Sequence, residues 1–256
     1  MGEVTPERLA APAVLKLVGH DIRWNLIRTL AEGDHRVNEL VEAVGQPQNL
    51  VSYHLRLLRD GDLVTERRSS ADARDVYYHL DLDRLNRGLN GSAASLHPSI
   101  GRRPSEPGLL RSRRVARVLF ICTGNSARSQ IAEAILRHEL GSSVDVYSAG
   151  PHPTRVNLLA LEVLLDMGVP TTGLRSKGME QVSGIDFDLV VTLCDKAKEE
   201  CGPDSSWARQ IHWSIPDPAA VTGSARRRRR AFEAAASEIA LRVRHLIPVL
   251  TSQMEG

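Results

Sequence analysis

The chain has no cysteine before position 122 and only three in all, Cys122, Cys194 and Cys201. So few thiols exclude the dense disulfide framework of a small secreted domain and leave catalytic, metal-binding or inert roles. No apolar run is long enough to span a bilayer. Met1 to Arg8 is polar and lacks a signal-peptide core. A cytoplasmic protein with no membrane partner is therefore expected. Aromatic residues make up 4% of the chain against 42% hydrophobic residues, so its cores should be aliphatic. His20, His35, His54 and His79 are scattered without ligand spacing, and no metal is expected. The formal net charge of +2 says little about partners. Its distribution says more, because Arg102, Arg103, Arg111, Arg113 and Arg114 face only Glu106 within residues 91–114.

The clearest chemistry lies at residues 115–129. Val115 to Ile121 is a short, β-branched-rich apolar run that reads as a buried strand. Cys122 ends it, and Gly124, Asn125 and Ser126 suit a tight loop. From Ser129 the pattern turns helical, with Ile131, Ala132, Ile135 and Leu136 on one face. Backbone N–H groups of Thr123, Gly124, Asn125, Ser126, Ala127, Arg128 and Ser129, closing on a helix N-terminus, can cradle a tetrahedral oxyanion. Arg128 adds a planar, permanently charged fork. The same positive field favours thiolate at Cys122, and the hydroxyl of Ser126 or Ser129 can hydrogen-bond it.

Strand and helix signals alternate through the C-terminal half. Strands are expected at Val115–Ile121, Val144–Ser148, Leu189–Leu193 and Ile211–Ser214. Helices are expected near 129–140, 156–168, 195–201 and 231–249. The alternation predicts an α/β domain with a four-stranded parallel sheet and flanking helices, the loop lying at a strand's carboxyl end. Arg226 to Arg230 should form a solvated turn before the last helix, because positive charge opposes the dipole at a helix N-terminus.

The N-terminal part reads differently. Helices are expected from Thr5-Pro6 to Val18, from an Asp21 cap through Leu30, over Val37–Val44 and over Gln48–Leu58. The last two flank a glycine-bearing turn, a helix-turn-helix pattern. Leu63–Arg68 and Val76–Leu80 read as two strands around a polar tip, and Asp81–Leu89 as a closing helix or turn. Together these make a winged helix-turn-helix domain over 1–90, followed by a flexible basic linker over 91–114 and the α/β domain over 115–256. In DNA binding the second helix would enter the major groove. Gln48, Asn49, Ser52 and Tyr53 could then reach base edges, and Arg56, Arg59, Arg67, Arg68 and Arg74 could reach phosphates.

Cys122-Thr-Gly-Asn-Ser-Ala-Arg-Ser129 resembles the phosphate loop of the low-molecular-weight tyrosine phosphatases and the thioredoxin-coupled arsenate reductases related to them. The resemblance runs from about Arg117 to Ala219. It takes in Ser148-Ala-Gly150, Val156-Asn157, Ser176-Lys177, Leu193-Cys-Asp195 and Pro216-Asp-Pro-Ala219. Residues 36–80 resemble the ArsR-type winged-helix repressors, through Gln48–Leu55, Leu57–Val64 and Val76–Tyr78. No thiol stands in Asp34–Leu40, where metal-sensing relatives carry a cysteine pair, so no inducer site can be assigned there. Asn125 and Glu133 match a monovalent-cation site of some relatives, but Lys177 stands where that site would want an acid.

The resemblances imply arsenate reduction joined to transcriptional regulation of arsenic resistance. They imply Asp217 as general acid and a relay through Cys122, Cys194 and Cys201. Thioredoxin, or a small thiol, would be the external reductant, with no bound cofactor. They also imply a homodimer formed through the N-terminal domain on double-stranded operator DNA, and arsenate or phosphate as the oxyanion. Positions seven apart on a helix lie about 10 Å from each other, whereas a disulfide needs Cα atoms within about 7 Å. A Cys194–Cys201 bond thus requires the segment to loop or unwind, and the resemblance implies that it does. Two alternatives stay open. One is a low-molecular-weight protein tyrosine phosphatase with a regulatory DNA-binding domain, although Asp217-Pro-Ala219 lacks the tyrosine that would wall a phosphotyrosine ring. The other is a transcription factor whose α/β domain only senses oxyanion or redox state.

Overall fold

The computed structural model describes residues 10–97, 100, 115–202 and 207–254. The chain divides into two compact units, one built from residues 1–67 and 76–106 and the other from residues 68–75 and 107–256.

In the first unit, α1 (Ala13–Val18) follows Pro12; the expected start at Thr5-Pro6 lies outside the described residues. Helix α2 (Asp21–Glu32) is capped by His20, not Asp21. The His20 backbone is extended and its Nδ1 accepts the N–H of Ile22 at 3.2 Å, while Asp21 is the first helical residue. A two-residue strand, β1 (His35–Arg36), leads into α3 (Val37–Val44), which ends at Gly45 in the left-handed region, φ 65°. Helix α4 (Gln48–Asp60) buries Val51, Leu55 and Leu58, one face of a 3.6-residue repeat. These pack with Leu26, Leu30 and Leu40 in a single aliphatic core. Strands β2 (Val64–Arg68) and β3 (Val76–Leu80) follow, and the sheet runs β1–β3–β2. Helix α5 (Leu82–Leu96) is capped by Asp81, whose carboxylate accepts from Arg84 N–H at 2.8 Å. It runs six residues into the stretch read as linker, with Leu85 and Leu89 against the core. Residues 98, 99 and 101–114 lie outside the described residues.

The second unit has a parallel sheet in the order β5–β4–β6–β7. Its strands are β4 (Ala116–Ile121), β5 (Val144–Ala149), β6 (Leu189–Thr192) and β7 (Gln210–His212). Val118 to Ile121 are all fully buried, as in a sheet covered on both faces. Helix α6 (Arg128–Leu140) is buried continuously from Arg128 to Leu136. Helix α7 (Leu158–Asp166) starts at an Asn157 cap, and α8 (Asp195–Cys201) at Cys194.

The last helix, α9 (Ala225–Met254), differs from expectation. Arg226 to Arg230 lie within its first two turns, not in a loop before it. Ser224 takes up its first amides, with Arg227 N–H on Oγ at 3.3 Å and Arg228 N–H on the carbonyl at 3.0 Å. Arg229 forms ion pairs with Glu162, Asp166 and Glu233. These acids from α7 and from one turn ahead offset the charge that the dipole disfavours. Among the described residues, no helix is long and apolar enough to cross a membrane.

Candidate active site and nucleic-acid face

Strand β4 ends in the interior, and Cys122 sits at its carboxyl end with 2% exposure. The loop that follows is held from outside. The carbonyls of Thr123, Gly124 and Ser126 accept from the N–H groups of His152, Thr154 and Asn157, each at 2.9 Å. Among the described residues, no acceptor takes the N–H groups of residues 123–127. The loop thus commits its carbonyls and keeps its donors free, which is what an anion nest requires. Asn125 takes φ 43°, a left-handed conformation that asparagine tolerates better than most residues.

Gly150, at the end of β5, lets the loop pack this closely. A Cβ there would run into the carbonyl of Cys122, and would lie 2.7 Å from the Thr123 carbonyl oxygen and 2.8 Å from the Asn125 nitrogen. Only a residue without a side chain fits.

Ser129 Oγ lies 3.0 Å from Cys122 Sγ, so of the two candidate hydroxyls Ser129 meets the sulfur. Asn125 Nδ2 donates to Ser129 Oγ and to Ser148 Oγ, both at 2.9 Å. Its Oδ1 accepts from Lys177 N–H at 2.7 Å and from Gln130 Nε2 at 2.8 Å. The Lys177 amide can only donate, which fixes the orientation of the asparagine amide. Sequence reasoning did not reach Ser148, Gln130 and Gly150 as parts of the site. Their hint was the Ser148-Ala-Gly150 match alone.

Arg128 opens α6 and is buried. Its guanidinium donates to the Ile215 carbonyl at 3.0 Å and pairs with Asp217 at 3.2 Å. The Asp217 side chain is 41% exposed and also accepts from Ala219 N–H at 3.0 Å. Arginine, acid loop and Cys122 loop are thereby brought to one place.

Cys194 joins them. Its sulfur lies 3.3 Å from Thr123 Oγ1, on the residue after Cys122. Burial pushes the Cys194 thiol up, opposed by the Arg128 charge and the Thr123 hydroxyl. Cys201 does not join them. It sits half-buried at the far end of α8, where burial, Glu200 and Cys194 push its thiol up to about 11. All three cysteines are free. At the head of α8, Asp195 accepts from His212 Nε2 at 3.1 Å, and His212 Nδ1 pairs with Thr192 Oγ1 at 2.9 Å. Burial alone would raise the Asp195 carboxyl; the hydrogen bonds from His212, the Ser70 amide and Ser214 hold it well below the usual carboxylate range.

On α4, Gln48, Asn49, Ser52, Tyr53 and Arg56 are all exposed. The last four line a surface groove of about 350 Å³ with Arg59 and Tyr78. The Arg56 guanidinium stacks 5.7 Å from the centre of the Tyr53 ring. Arg59 pairs with Glu66 at 2.7 Å. Arg67 comes within 3.8 Å of buried Asp34, because strand alternation sends it to the face opposite Arg68. Arg68 donates to the Ala73 carbonyl at 3.1 Å, and Arg74 forks onto Asp72. That fork draws the Asp72 carboxyl down to about 2.

A cysteine-arginine oxyanion loop at the carboxyl end of a parallel sheet defines the class: an oxyanion-handling α/β enzyme fold, here in one chain with a helix-turn-helix unit. Residues 117–255 match the family model of low molecular weight phosphotyrosine protein phosphatases, and the chain belongs to that family. Residues 20–66 match bacterial regulatory proteins of the arsR family, so its N-terminal end carries an arsR-family helix-turn-helix domain. An arsenate reductase of Halalkalibacterium halodurans is 35% identical over 127 residues, 50% of this chain and 91% of that protein. Arsenate reductase 2 of Staphylococcus saprophyticus is 38% identical over 107 residues, 42% of this chain and 82% of its own. A solved arsenate reductase in the phosphate-binding state aligns at 26% identity and TM-score 0.44, over 52% of this chain and 98% of that one.

Proposed function

We propose that the C-terminal domain reduces arsenate to arsenite and that the N-terminal domain binds operator DNA. The carrying observation is the second thiol, Cys194, held 3.3 Å from Thr123 Oγ1 beside the nucleophile loop. A phosphatase has no use for a thiol there; a two-electron reductase needs one.

Arsenate enters the 123–129 loop, bound by backbone N–H groups and Arg128. The Cys122 thiolate attacks arsenic, a sulfur–arsenic bond forms, and an arsenic–oxygen bond breaks as Asp217 gives its proton to the departing hydroxide. Cys194 then attacks the Cys122 sulfur. A disulfide forms, the sulfur–arsenic bond breaks, and its electron pair stays on arsenic, which leaves as arsenite. Cys201 attacks Cys194 and frees Cys122. An external dithiol such as thioredoxin, or two small thiols, reduces the Cys194–Cys201 disulfide. Each sulfur step is an exchange governed by thiolate fraction and access. No bound cofactor takes part. Phosphate, with the same shape and charge, should compete.

The cytoplasm, with its reducing thiol systems, suits this chemistry. The exposed face of α4 would lie in the major groove of operator DNA, with a homodimer reading two half-sites. Arsenite meeting the Cys194–Cys201 pair would connect catalysis to DNA release.

Trapping tests the thiol order. After one arsenate equivalent and acid quench, peptide mass mapping should find Cys122–Cys194 in a Cys201→Ser protein and Cys194–Cys201 in the wild type. Absence of both disulfides, with an aryl phosphate turned over, would instead establish a phosphatase.

A further inference from the structure

Behind the oxyanion loop lies a buried polar chain that the relay does not use. Glu133, on α6, is 2% exposed, and Lys177 is 9% exposed. Lys177 Nζ lies 3.0 Å from Glu133 Oε2. The other Glu133 oxygen pairs with Arg137. Ser148 Oγ also donates to Glu133 Oε2.

The donor directions along this chain are fixed. The Lys177 ammonium and the Arg137 guanidinium can only donate, so both Glu133 oxygens act as acceptors. The Ser148 proton therefore points at Glu133, and the Ser148 oxygen accepts from Asn125 Nδ2 and from Gln130 Nε2 at 3.3 Å. The second Asn125 proton goes to Ser129 Oγ. Ser129 is left to donate its own proton to Cys122 Sγ, 3.0 Å away. Thus Glu133–Ser148–Asn125–Ser129 forms one polarised line that ends on the nucleophile.

The donor set does not fit a resident monovalent metal ion. Glu133 already carries two fixed cations, and the Lys177 ammonium stands where such an ion would neutralise it. We propose that Lys177 is a built-in cation that takes the place of a metal ion behind the loop, holding the hydrogen-bond line in the sense that stabilises the Cys122 thiolate. Lys177 is a positioning residue and touches no substrate. The proposal rests on the oxyanion-loop reading but not on the relay, and inorganic phosphate as the probe keeps the two apart.

The test uses the full-length chain with its thiols reduced, in potassium, sodium and choline chloride at equal ionic strength. Two quantities are read: phosphate affinity and the rate at which Cys122 is alkylated by iodoacetamide. The wild type should give the same values in all three salts. Lys177→Met should slow alkylation and weaken phosphate binding by about tenfold, the usual effect of losing a supporting partner behind a site. Lys177→Arg should keep most of both. Lys177→Asp, which supplies the missing acid, should recover phosphate affinity in potassium but not in choline, with a matching potassium-dependent rise in melting temperature. A wild-type protein that needs potassium would overturn the proposal. So would a folded Lys177→Met protein with wild-type alkylation and phosphate affinity in choline chloride. Should Lys177→Asp not fold, those two measurements still decide.

Discussion

In the proposed relay, the attack of Cys201 on Cys194 should report directly on whether α8 opens. Cys201 ends that helix and Cys194 caps its start, a separation of about 10 Å for a helix of this span. In place, the Cys201 thiol is pushed up to about 11. At about pH 7.5 such a thiol is roughly 0.03% thiolate, against roughly 10% for a thiol of ordinary pKa near 8.5, a deficit of about 300-fold. The more basic thiolate is the better nucleophile, which recovers about 10- to 20-fold and leaves a net deficit of about 15- to 30-fold. Unwinding α8 removes the burial that causes most of the shift, and also closes the distance. Attack from the opened segment should therefore titrate with an apparent pKa near about 8.5, as for a solvated thiol. Rapid quench of the conversion of the Cys122–Cys194 to the Cys194–Cys201 disulfide, from about pH 6.5 to about 10.5, measures it. Glu200→Gln should change the rate little, because the opened segment separates Glu200 from the fixed geometry. A rate that still climbs at about pH 10.5 without a plateau, and that Glu200→Gln accelerates, would refute opening before attack. The linkage has a matching sign: a thiol raised in the folded state favours folding below its unfolded pKa. The helix should loosen as pH rises from about 9 towards 11.

Four further outcomes follow from the same geometry. Gly150→Ala should destabilise the second unit by about 1–3 kcal/mol, since its Cβ meets backbone rather than a movable side chain; denaturant unfolding reads the cost, and phosphate binding should vanish with it. Arg128→Lys should lower turnover by about 100-fold or more, because a point charge cannot fork onto the anion and also hold Ile215 and Asp217; steady-state kinetics with a normal melting temperature checks it. Burial, His20 and Arg23 lower the His54 pKa, so the unfolded chain binds the proton more readily. The stability of the first unit should be intact above about pH 6.5 and fall as pH drops below it, and His54→Asn should flatten the dependence in thermal melts. Arg56→Ala should weaken operator and random DNA alike and reduce the salt slope by about 1, whereas Gln48→Ala should cost about 1–3 kcal/mol on operator only; fluorescence anisotropy across a salt series separates the two.

Local chemistry was legible in the sequence where it is carried by adjacent residues. Val115 to Ser129 announced strand, loop and helix because apolar periodicity changes abruptly across Cys122. Helix α4 was legible from Val51, Leu55 and Leu58. Long-range partners were not. The arginine run at 226–230 reads as an unfavourable helix start until Glu162 and Asp166 come alongside from α7. Strand β1 has only two residues, and its pairing of His35 with Tyr78 and Arg36 with Tyr77 leaves no periodic trace. The end of α5 was missed because Asn90-Gly-Ser92 is a poor helix sequence; Ser92 Oγ turns back onto the Gly88 carbonyl at 2.7 Å. Lys177 signalled only a mismatch, and its Glu133 partner is 44 positions away.

The central claim is a three-thiol reductase, and multiple-turnover arsenite production tests it most directly. Wild type, Cys194→Ser and Cys201→Ser would be supplied with arsenate, thioredoxin, thioredoxin reductase and NADPH. Continuous turnover by the wild type, with both variants stopping at or before one equivalent of arsenite, is the predicted result. No arsenite from any of the three, with equal hydrolysis of an aryl phosphate by all, would contradict it.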